Sequence, residues 1–321
     1  MFAKIKWWGL FIFLFISCSD LKDTPVQEIR KRKVLFIGID GVNVDILEQT
    51  KTPHIDALIA DGLYNNNISM KGATRSAVGW TNIFTGWSPQ KHKVRNEQTL
   101  HNDYWRGNRE YQDIFWLLRK ANQDLKLFFS YSWFPLHYFA SAADMLISRL
   151  NIEQGVSGQT EADEYIVEQT LAALASTDVN YDVLFCYIAL PDAVAHQYGP
   201  SVGANTWKGL EAYSQAIKFV DESIGKLLAA IKKRPYYKQE EWLMIVTTDH
   251  GIDPSGISHT YNPPAARKVF YIISGKLVRT GRSNEGTQES IAPTILSYMG
   301  GTITSEMGLK SPLIRELIDN K

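Results

Sequence analysis

Long apolar runs that stop abruptly at a polar or turn-forming residue dominate the pattern of this chain. Residues 243–251 read Leu-Met-Ile-Val-Thr-Thr-Asp-His-Gly, an apolar run closed by adjacent Asp249 and His250. Residues 34–40 (Val-Leu-Phe-Ile-Gly-Ile-Asp) and 183–190 (Val-Leu-Phe-Cys-Tyr-Ile-Ala-Leu) have the same character. Runs without polar alternation suit strands buried on both faces, as in a parallel sheet. Between them the apolar spacing becomes helical. Residues 52–62 carry Pro53 near the start and Gly62 at the stop, and helical runs follow at 76–86, 112–121, 161–175 and 204–231; these spacings and end signals predict amphipathic helices. Further strands are expected at 125–132 and 269–274, and a last helix around 291–299. Strands alternating with helices predict an α/β fold with a parallel sheet.

Composition narrows the function. The 34 basic and 34 acidic side chains cancel, so there is no basic footprint for a nucleic-acid polymer or a charged membrane. Two cysteines among 321 residues exclude a disulfide framework. No repeat or Pro/Gly-rich linker follows residue 33, which favours one domain at 34–321. Lys4 and Lys6 precede an apolar run from Trp7 to Ile16, and Ser17-Cys18 follow. That is the form of an export signal at residues 1–17, too short to span a bilayer comfortably. The Ser-Cys pair resembles a bacterial lipobox, with Cys18 lipidated, although Phe15 stands where Leu is usual; an uncleaved signal anchor is the alternative. Residues 18–33 are expected to be a tether. The expected location is the bacterial cell envelope, with a lipid anchor on an exported domain.

The candidate chemistry lies where the apolar runs end. Ligands of open α/β sheets collect beyond the carboxyl ends of the strands. Asp40 follows the first run, and Asp249 and His250 follow the run at 243–248. After the run at 183–190 comes Asp192-Ala-Val-Ala-His196, a four-residue spacing that faces both side chains one way on a helical turn. His259 lies eight residues past Gly251. Each alone has an ordinary reading, Asp-Gly turns above all. Together three carboxylates and three imidazoles suffice for two metals of near-tetrahedral coordination. Residues 72–80 offer Thr74 and Ser76 at a helix start, where backbone N–H groups can hold a phosphate; capping is the competing role. His54 reads as a surface or cap residue, Cys186 as a small core residue, and the aromatics between Trp80 and Phe139 as core more often than substrate contacts.

In this order the motifs resemble the alkaline phosphatase superfamily, specifically its type I phosphodiesterase/nucleotide pyrophosphatase branch. The likeness spans nearly all of residues 34–301. It rests on Ile-Asp-Gly, Thr-Pro-x-Ile-Asp-x-Leu, Thr-Gly-Trp-Ser-Pro-Gln-Lys-His at 85–92, Pro-Asp-x-x-x-His-x-x-Gly-Pro, Thr-Thr-Asp-His-Gly and Ala-Pro-Thr-Ile-Leu. The resemblance implies a three-layer α/β/α sandwich with a mostly parallel central sheet. It further implies two divalent metals, with zinc favoured by the donors: one held by Asp40, Asp249, His250 and the Ser76 oxygen, the other by Asp192, His196 and His259. Ser76 is the implied nucleophile because the family's stands ten residues before the Gly of its Thr-Gly, here Gly86. A phosphoseryl intermediate follows, with Ala77 N–H and Asn82 as candidate substrate contacts.

Departures accompany the likeness. Gly79 stands where the branch usually has Asn, with Asn82, Lys71 or Arg75 as possible substitutes, and Ala189 replaces a frequent acid. The expected activity is hydrolysis of a small-molecule phosphodiester or nucleotide pyrophosphate. The alternatives are a phosphomonoesterase, phosphonate hydrolase or phospho-group transferase, or a non-catalytic surface binding protein. A sulfatase is disfavoured, since Ser76-Ala-Val-Gly-Trp lacks the Pro and Arg of the sulfatase motif. Specificity is expected from loops at 87–105 and 133–150.

Overall fold

The computed structural model describes residues 31–105, 112–151, 153, 155–198, 207–253 and 259–314. The expected signal, Cys18 and most of the tether lie outside them. Eight strands form one sheet: β1 (Lys31–Ile39), β2 (Gly62–Ser69), β3 (Leu127–Tyr131), β4 (Met145–Ser148), β5 (Val183–Ile188), β6 (Glu240–Thr248), β7 (Lys268–Gly275) and β8 (Gly281–Arg282). Their order is β4-β3-β5-β1-β6-β7-β2-β8. From β4 to β6 every pairing is parallel; β7 pairs antiparallel with both β6 and β2.

Among the described residues, eleven α-helices accompany the strands. They are α1 (Val44–Gln49), α2 (Pro53–Ala60), α3 (Ser76–Thr85), α4 (Pro89–His92), α5 (Glu97–Trp105) and α6 (Ile114–Ala121), then α7 (Val156–Ala175), α8 (Leu190–Tyr198), α9 (Trp207–Lys232), α10 (Pro264–Arg267) and α11 (Ile291–Tyr298). The strand pattern explains the layers. Along β1, Val34 and Phe36 point to one core with Trp80, Phe84, Phe115 and Ile295; Leu35, Ile37 and Ile39 point to another with Ile55, Ile166, Ile217 and Ile224. Alternate residues of a strand face opposite sides, so a run apolar at every position builds a core on each face. Helices α3, α6 and α11 cover one face, and α2, α7 and α9 the other. This is the expected three-layer sandwich. Among the described residues no helix is long and apolar enough to cross a membrane.

Two boundaries differ from expectation. Strand β1 starts at Lys31, inside the expected tether, and Lys33 is fully buried. Its ammonium donates to Tyr181 O at 2.6 Å and pairs with Asp182 at 3.1 Å. Burial still lowers its pKa to about 8, against the pull of Asp182. The expected loop regions are also more regular than thought: 87–105 contains α4 and α5, and 133–150 contains a 3₁₀ turn (Phe134–Phe139) and β4.

Helix α3 is pinned to the end of β6 by contacts from remote segments. His92 is 3 % exposed. Its Nδ1 accepts from Val94 N at 3.0 Å, so the other nitrogen carries the proton, and Nε2–H donates to Asn82 Oδ1 at 2.9 Å. The Asn82 amide donates to Gln288 Oε1 at 3.1 Å, and the Gln288 amide donates to Asp249 O at 2.6 Å and Thr248 O at 3.0 Å. Four segments are thereby locked around one backbone turn. Gly79 completes the contact: a Cβ there would lie 2.3 Å from Asp249 O. Only a residue without a side chain lets α3 approach so closely.

Two predictions follow from this packing. Gly79→Ala should lower stability by about 1–3 kcal/mol through overpacking, although helix propensity alone would favour Ala by up to about 1 kcal/mol; urea unfolding gives the sign. The second concerns acid. Burial lowers the His92 pKa from 6.5 to about 4. Between these values the unfolded chain binds the proton and the folded chain does not, so stability is fully present above pH 6.5 and falls as pH drops towards 4. The loss is about 3 kcal/mol. His92→Gln, measured by urea unfolding from pH 7 to pH 4, should show a correspondingly shallower acid loss than the parent chain.

Candidate active site

Strands β5, β1 and β6 are neighbours and run parallel, so their carboxyl ends share one edge of the sheet. Asp40 follows β1 directly, Asp249 and His250 follow β6, and Asp192 sits in the first turn of α8, just beyond β5. Hydrogen bonding within the sheet therefore brings together residues more than 200 positions apart. His259 arrives from the 3₁₀ turn His259–Tyr261. Ser76 is the first residue of α3.

The side chains meet closely. Ser76 Oγ lies 3.2 Å from His250 Nε2 and 3.4 Å from Asp40 Oδ1. His250 Nε2 is 3.4 Å from both Asp40 Oδ1 and Asp249 Oδ2. On the other side, His196 Nε2 is 3.3 Å from Asp192 Oδ2 and 3.2 Å from His259 Nε2, and His259 Nε2 is 3.8 Å from Asp192 Oδ1. The His250 and His259 rings stack at 3.8 Å, joining the two groups. Asp40, Asp249 and His250 form one cluster able to hold a metal; Asp192, His250 and His259 form a second. His196 adjoins the second through its contacts with Asp192 and His259.

The histidine tautomers are set by backbone acceptors. His250 Nδ1–H donates to Gly251 O at 3.0 Å, and His259 Nδ1–H donates to Thr74 O at 2.7 Å. Both rings thus turn Nε2 towards the carboxylates, the orientation a metal ligand needs. Thr74, the alternative nucleophile, is fully buried, and its hydroxyl donates to His259 O. It positions a ligand and has no surface for substrate.

The carboxylates are gripped from behind. Asp40 Oδ2 accepts from Tyr187 OH at 2.7 Å and Trp80 Nε1 at 3.1 Å, leaving Oδ1 towards Ser76 and His250. Gly38 admits the Trp80 ring, which would lie 2.5 Å from a Cβ at that position. Asp249 Oδ1 accepts from Gly41 N at 3.1 Å. Tyr187 and Trp80 carry no sequence signal for this role beyond membership of a strand and a helix. Asp163 on α7 was equally invisible: its buried carboxylate accepts from Ala189 N and Leu190 N, at the start of α8.

The donor set fits divalent cations. Asp249 Oδ2 and Asp192 Oδ1 are buried without a hydrogen-bond partner among the described residues, one in each cluster. A buried carboxylate oxygen left unpaired is costly unless a cation meets it. Electrostatics agree. Burial, then the neighbouring carboxylates, pushes Asp40 up and Asp249 well above the usual carboxylate range. Burial opposes charge on His250, but Asp249, Asp40 and Asp192 overcome it and raise its pKa to about 9. Burial and the adjacent His250 lower His259 to about 4.

The expected substrate contacts divide. Ala77 lies in the first turn of α3, whose N-cap Arg75 provides no side-chain cap, so its N–H is one of the helix's open donors. Asn82 is fully buried with its amide committed to Lys71 O, Gln288 and His92. It holds the Asp249 backbone and has nothing left for a substrate, which corrects the sequence reading. Gly79 has a packing cause: a Cβ there would lie 2.3 Å from Asp249 O and 2.8 Å from Asp249 Cβ.

Comparison with known proteins gives the lineage. The model of the type I phosphodiesterase / nucleotide pyrophosphatase family matches residues 34–265. A 2,3-bisphosphoglycerate-independent phosphoglycerate mutase of Mycoplasma mobile is 29% identical over 176 residues, covering 50% of this chain and 29% of the mutase. Ectonucleotide pyrophosphatase/phosphodiesterase family member 7 of Rattus norvegicus is 22% identical over 258 residues, covering 76% of this chain and 55% of the rat protein. The chain thus spans well under two thirds of either relative. Among solved structures, a 2-O GAG sulfatase superposes with a TM-score of 0.70 at 13% identity, covering 91% of this chain and 76% of that one. The same architecture occurs in a protein of the alkaline phosphatase superfamily. With the family model covering β2 to β6, the turn at Ser76 and both ligand clusters, the chain belongs to the type I phosphodiesterase / nucleotide pyrophosphatase family.

Proposed function

We propose that this chain is a two-metal hydrolase of phosphodiester or nucleotide pyrophosphate bonds, working through Ser76. One observation carries the reading: two His/carboxylate clusters, each with a buried carboxylate oxygen that has no hydrogen-bond partner among the described residues, converge on a hydroxyl at a helix N-terminus. Divalent cations held by Asp40, Asp249 and His250 and by Asp192, His196 and His259 would lower the pKa of a hydroxyl and neutralise charge on phosphoryl oxygens, and Asp/His donors suit zinc.

The chain's own residues then have defined tasks. Ser76 Oγ attacks phosphorus in line, and the Oγ–P bond forms as the bond to the leaving oxygen breaks. The open N–H groups at the start of α3, Ala77 N–H among them, can donate to a non-bridging oxygen where negative charge builds up. Water then displaces Ser76 Oγ, releasing the phosphate product and restoring the serine. The His196 side chain is 48% exposed, so the second cluster is the side from which substrate enters.

The N-terminal Lys-apolar-Ser-Cys pattern supports export to a bacterial envelope with Cys18 as the lipid anchor. Balanced charge supports a small-molecule phosphate ester over a nucleic-acid polymer. A second reading, transfer of the phosphoryl group from Ser76 to an alcohol, is favoured by the mutase relatives. It shares the first half-reaction and differs only in what displaces the serine.

Full-length protein in detergent with added zinc should cleave bis-p-nitrophenyl phosphate faster than p-nitrophenyl phosphate. Ser76→Ala should lower that rate by at least about 1,000-fold while leaving the melting temperature within a few degrees. An unchanged rate would remove Ser76 as nucleophile, and a monoester preference would move the reading to a phosphomonoesterase. Loss of nitrophenyl phosphate product to an added alcohol, at constant nitrophenol release, would indicate the transferase.

Metal removal makes a separate prediction. Dialysis against a chelator should abolish turnover, and zinc should restore it at two ions per chain, with Asp249→Asn taking up one. Each site at 100 times its dissociation constant should add about 2.7 kcal/mol to stability, seen as a rise in melting temperature. A chain whose stability and turnover ignore zinc, manganese and chelator alike would overturn the two-metal reading.

A further inference from the structure

Helix α8 starts without a capping side chain of its own, yet it must present Asp192 and His196 accurately. Ala189 and Leu190 supply two of the backbone N–H groups that open its first turn, and Ala193 N already donates to Ala189 O at 3.1 Å. Such opening donors find no partner inside the helix. Asp163 provides one from α7. Its Oδ2 accepts from Ala189 N at 2.9 Å and from Leu190 N at 2.7 Å. Its Oδ1 accepts from Gln159 Nε2 at 2.7 Å, and the same amide donates to Ser132 Oγ at 3.0 Å. Asp163 is fully buried and Gln159 is 9% exposed.

We propose that Asp163 is the positioning residue of the Asp192–His196–His259 cluster, fixing the rotation and depth of α8 from a neighbouring helix. Leu190 stands two residues before Asp192, so the carboxylate–amide bonds set the orientation of the turn that bears the ligand. A helix end held by two hydrogen bonds to one carboxylate has little freedom to rotate about its axis or slide. His196 lies one turn further along, its Nε2 3.3 Å from Asp192 Oδ2. The first cluster has its own fixtures in Tyr187, Trp80, Gly41 N and Gln288. None of the hydrogen bonds that fix Asp40 and Asp249 runs through Asp163. The two clusters share His250, but their anchoring hydrogen bonds differ, and Asp163 serves the second.

The inference rests on the two-metal reading, and zinc titration calorimetry of the full-length protein tests each apart from the other. Asp249→Asn reports the second site alone, and Asp192→Asn the first. Adding Asp163→Ala to the Asp249→Asn background should weaken zinc binding by about tenfold or more. Adding it to the Asp192→Asn background should change binding by less than about twofold, since a residue that orients one ligand acts locally on that ligand. Asp163→Asn, whose amide oxygen can take the same two N–H groups, should recover most of the loss. A purely structural role would weaken both sites alike, and that result, or no change at either, would overturn the proposal. Should Asp163→Ala fail to fold, Gln159→Ala carries the test, because it frees the same carboxylate from its α7 side: weakening confined to the second site supports the proposal, and uniform or absent weakening overturns it. Failure of the parent chain to bind zinc would instead refute the two-metal reading itself, and this inference with it.

Discussion

Three carboxylates crowd the carboxyl edge of adjacent parallel strands, and their mutual repulsion is the constraint the rest of the site answers. Strands β5, β1 and β6 are hydrogen-bonded neighbours, so the ends that deliver Asp192, Asp40 and Asp249 cannot separate without breaking the sheet. Two like charges 4 Å apart near a protein surface repel by about 4 kcal/mol, against a whole-domain stability of about 5–15 kcal/mol. Burial adds to the cost, and Asp40 and Asp249 respond with raised pKa values. Protonation would relieve the repulsion but leave an ordinary hydrogen-bonded cluster. The unpaired inner oxygens of Asp249 and Asp192 fit the other relief, cations of two charges each.

How the ligands are held follows from the same crowding. Each carboxylate would swing away from its neighbours unless its outer side were gripped. Asp40 is gripped by Tyr187 and Trp80, Asp249 by Gly41 N and by the amide of Gln288 on its backbone. The Gln288 amide is itself oriented by Asn82, and Asn82 by His92. The first cluster is thus closed on the protein side and sits beside Ser76. The second is open, with His196 48% exposed. A sealed cluster next to Ser76 and an exposed one beyond it give the site a direction.

What was legible in the sequence was local. Asp40, Asp192, Asp249 and His250 each stand within four residues of an apolar run whose end is unmistakable, and the runs also announce a two-sided core. His259 follows the last of them closely enough to be guessed. The residues that orient the ligands are different in kind. Tyr187, Trp80, Gln288, Asn82 and Asp163 act across separations of 26 to 206 positions, and a Tyr in a strand or a Gln before a helix has no local pattern that marks it. Strand β2 was missed because Asn65, Asn66 and Asn67 break its apolar character at an irregularity of the β2–β7 pairing. Asn82 was misassigned for the converse reason, since a polar residue six positions past Ser76 on the same helix looks free until its buried partners are seen.

Gly79 shows how packing can imitate a functional change. Compared only by motif, its departure from Asn bears on the choice between diesters and monoesters. In the fold it is the point where α3 touches the Asp249 backbone. On the proposed hydrolase reading, ester class would then be set by elements that frame Ser76 from outside. The segments expected to do this as loops are instead α4, α5, a 3₁₀ turn and β4. Trp87 is tied to Met307 O at 2.8 Å, Leu100 is fully buried, and Tyr138 and Phe139 belong to the core. Groups held on such elements are positioned more closely than groups on mobile loops. Walls built this way are pre-shaped around Ser76, the same strategy by which the ligand clusters are held.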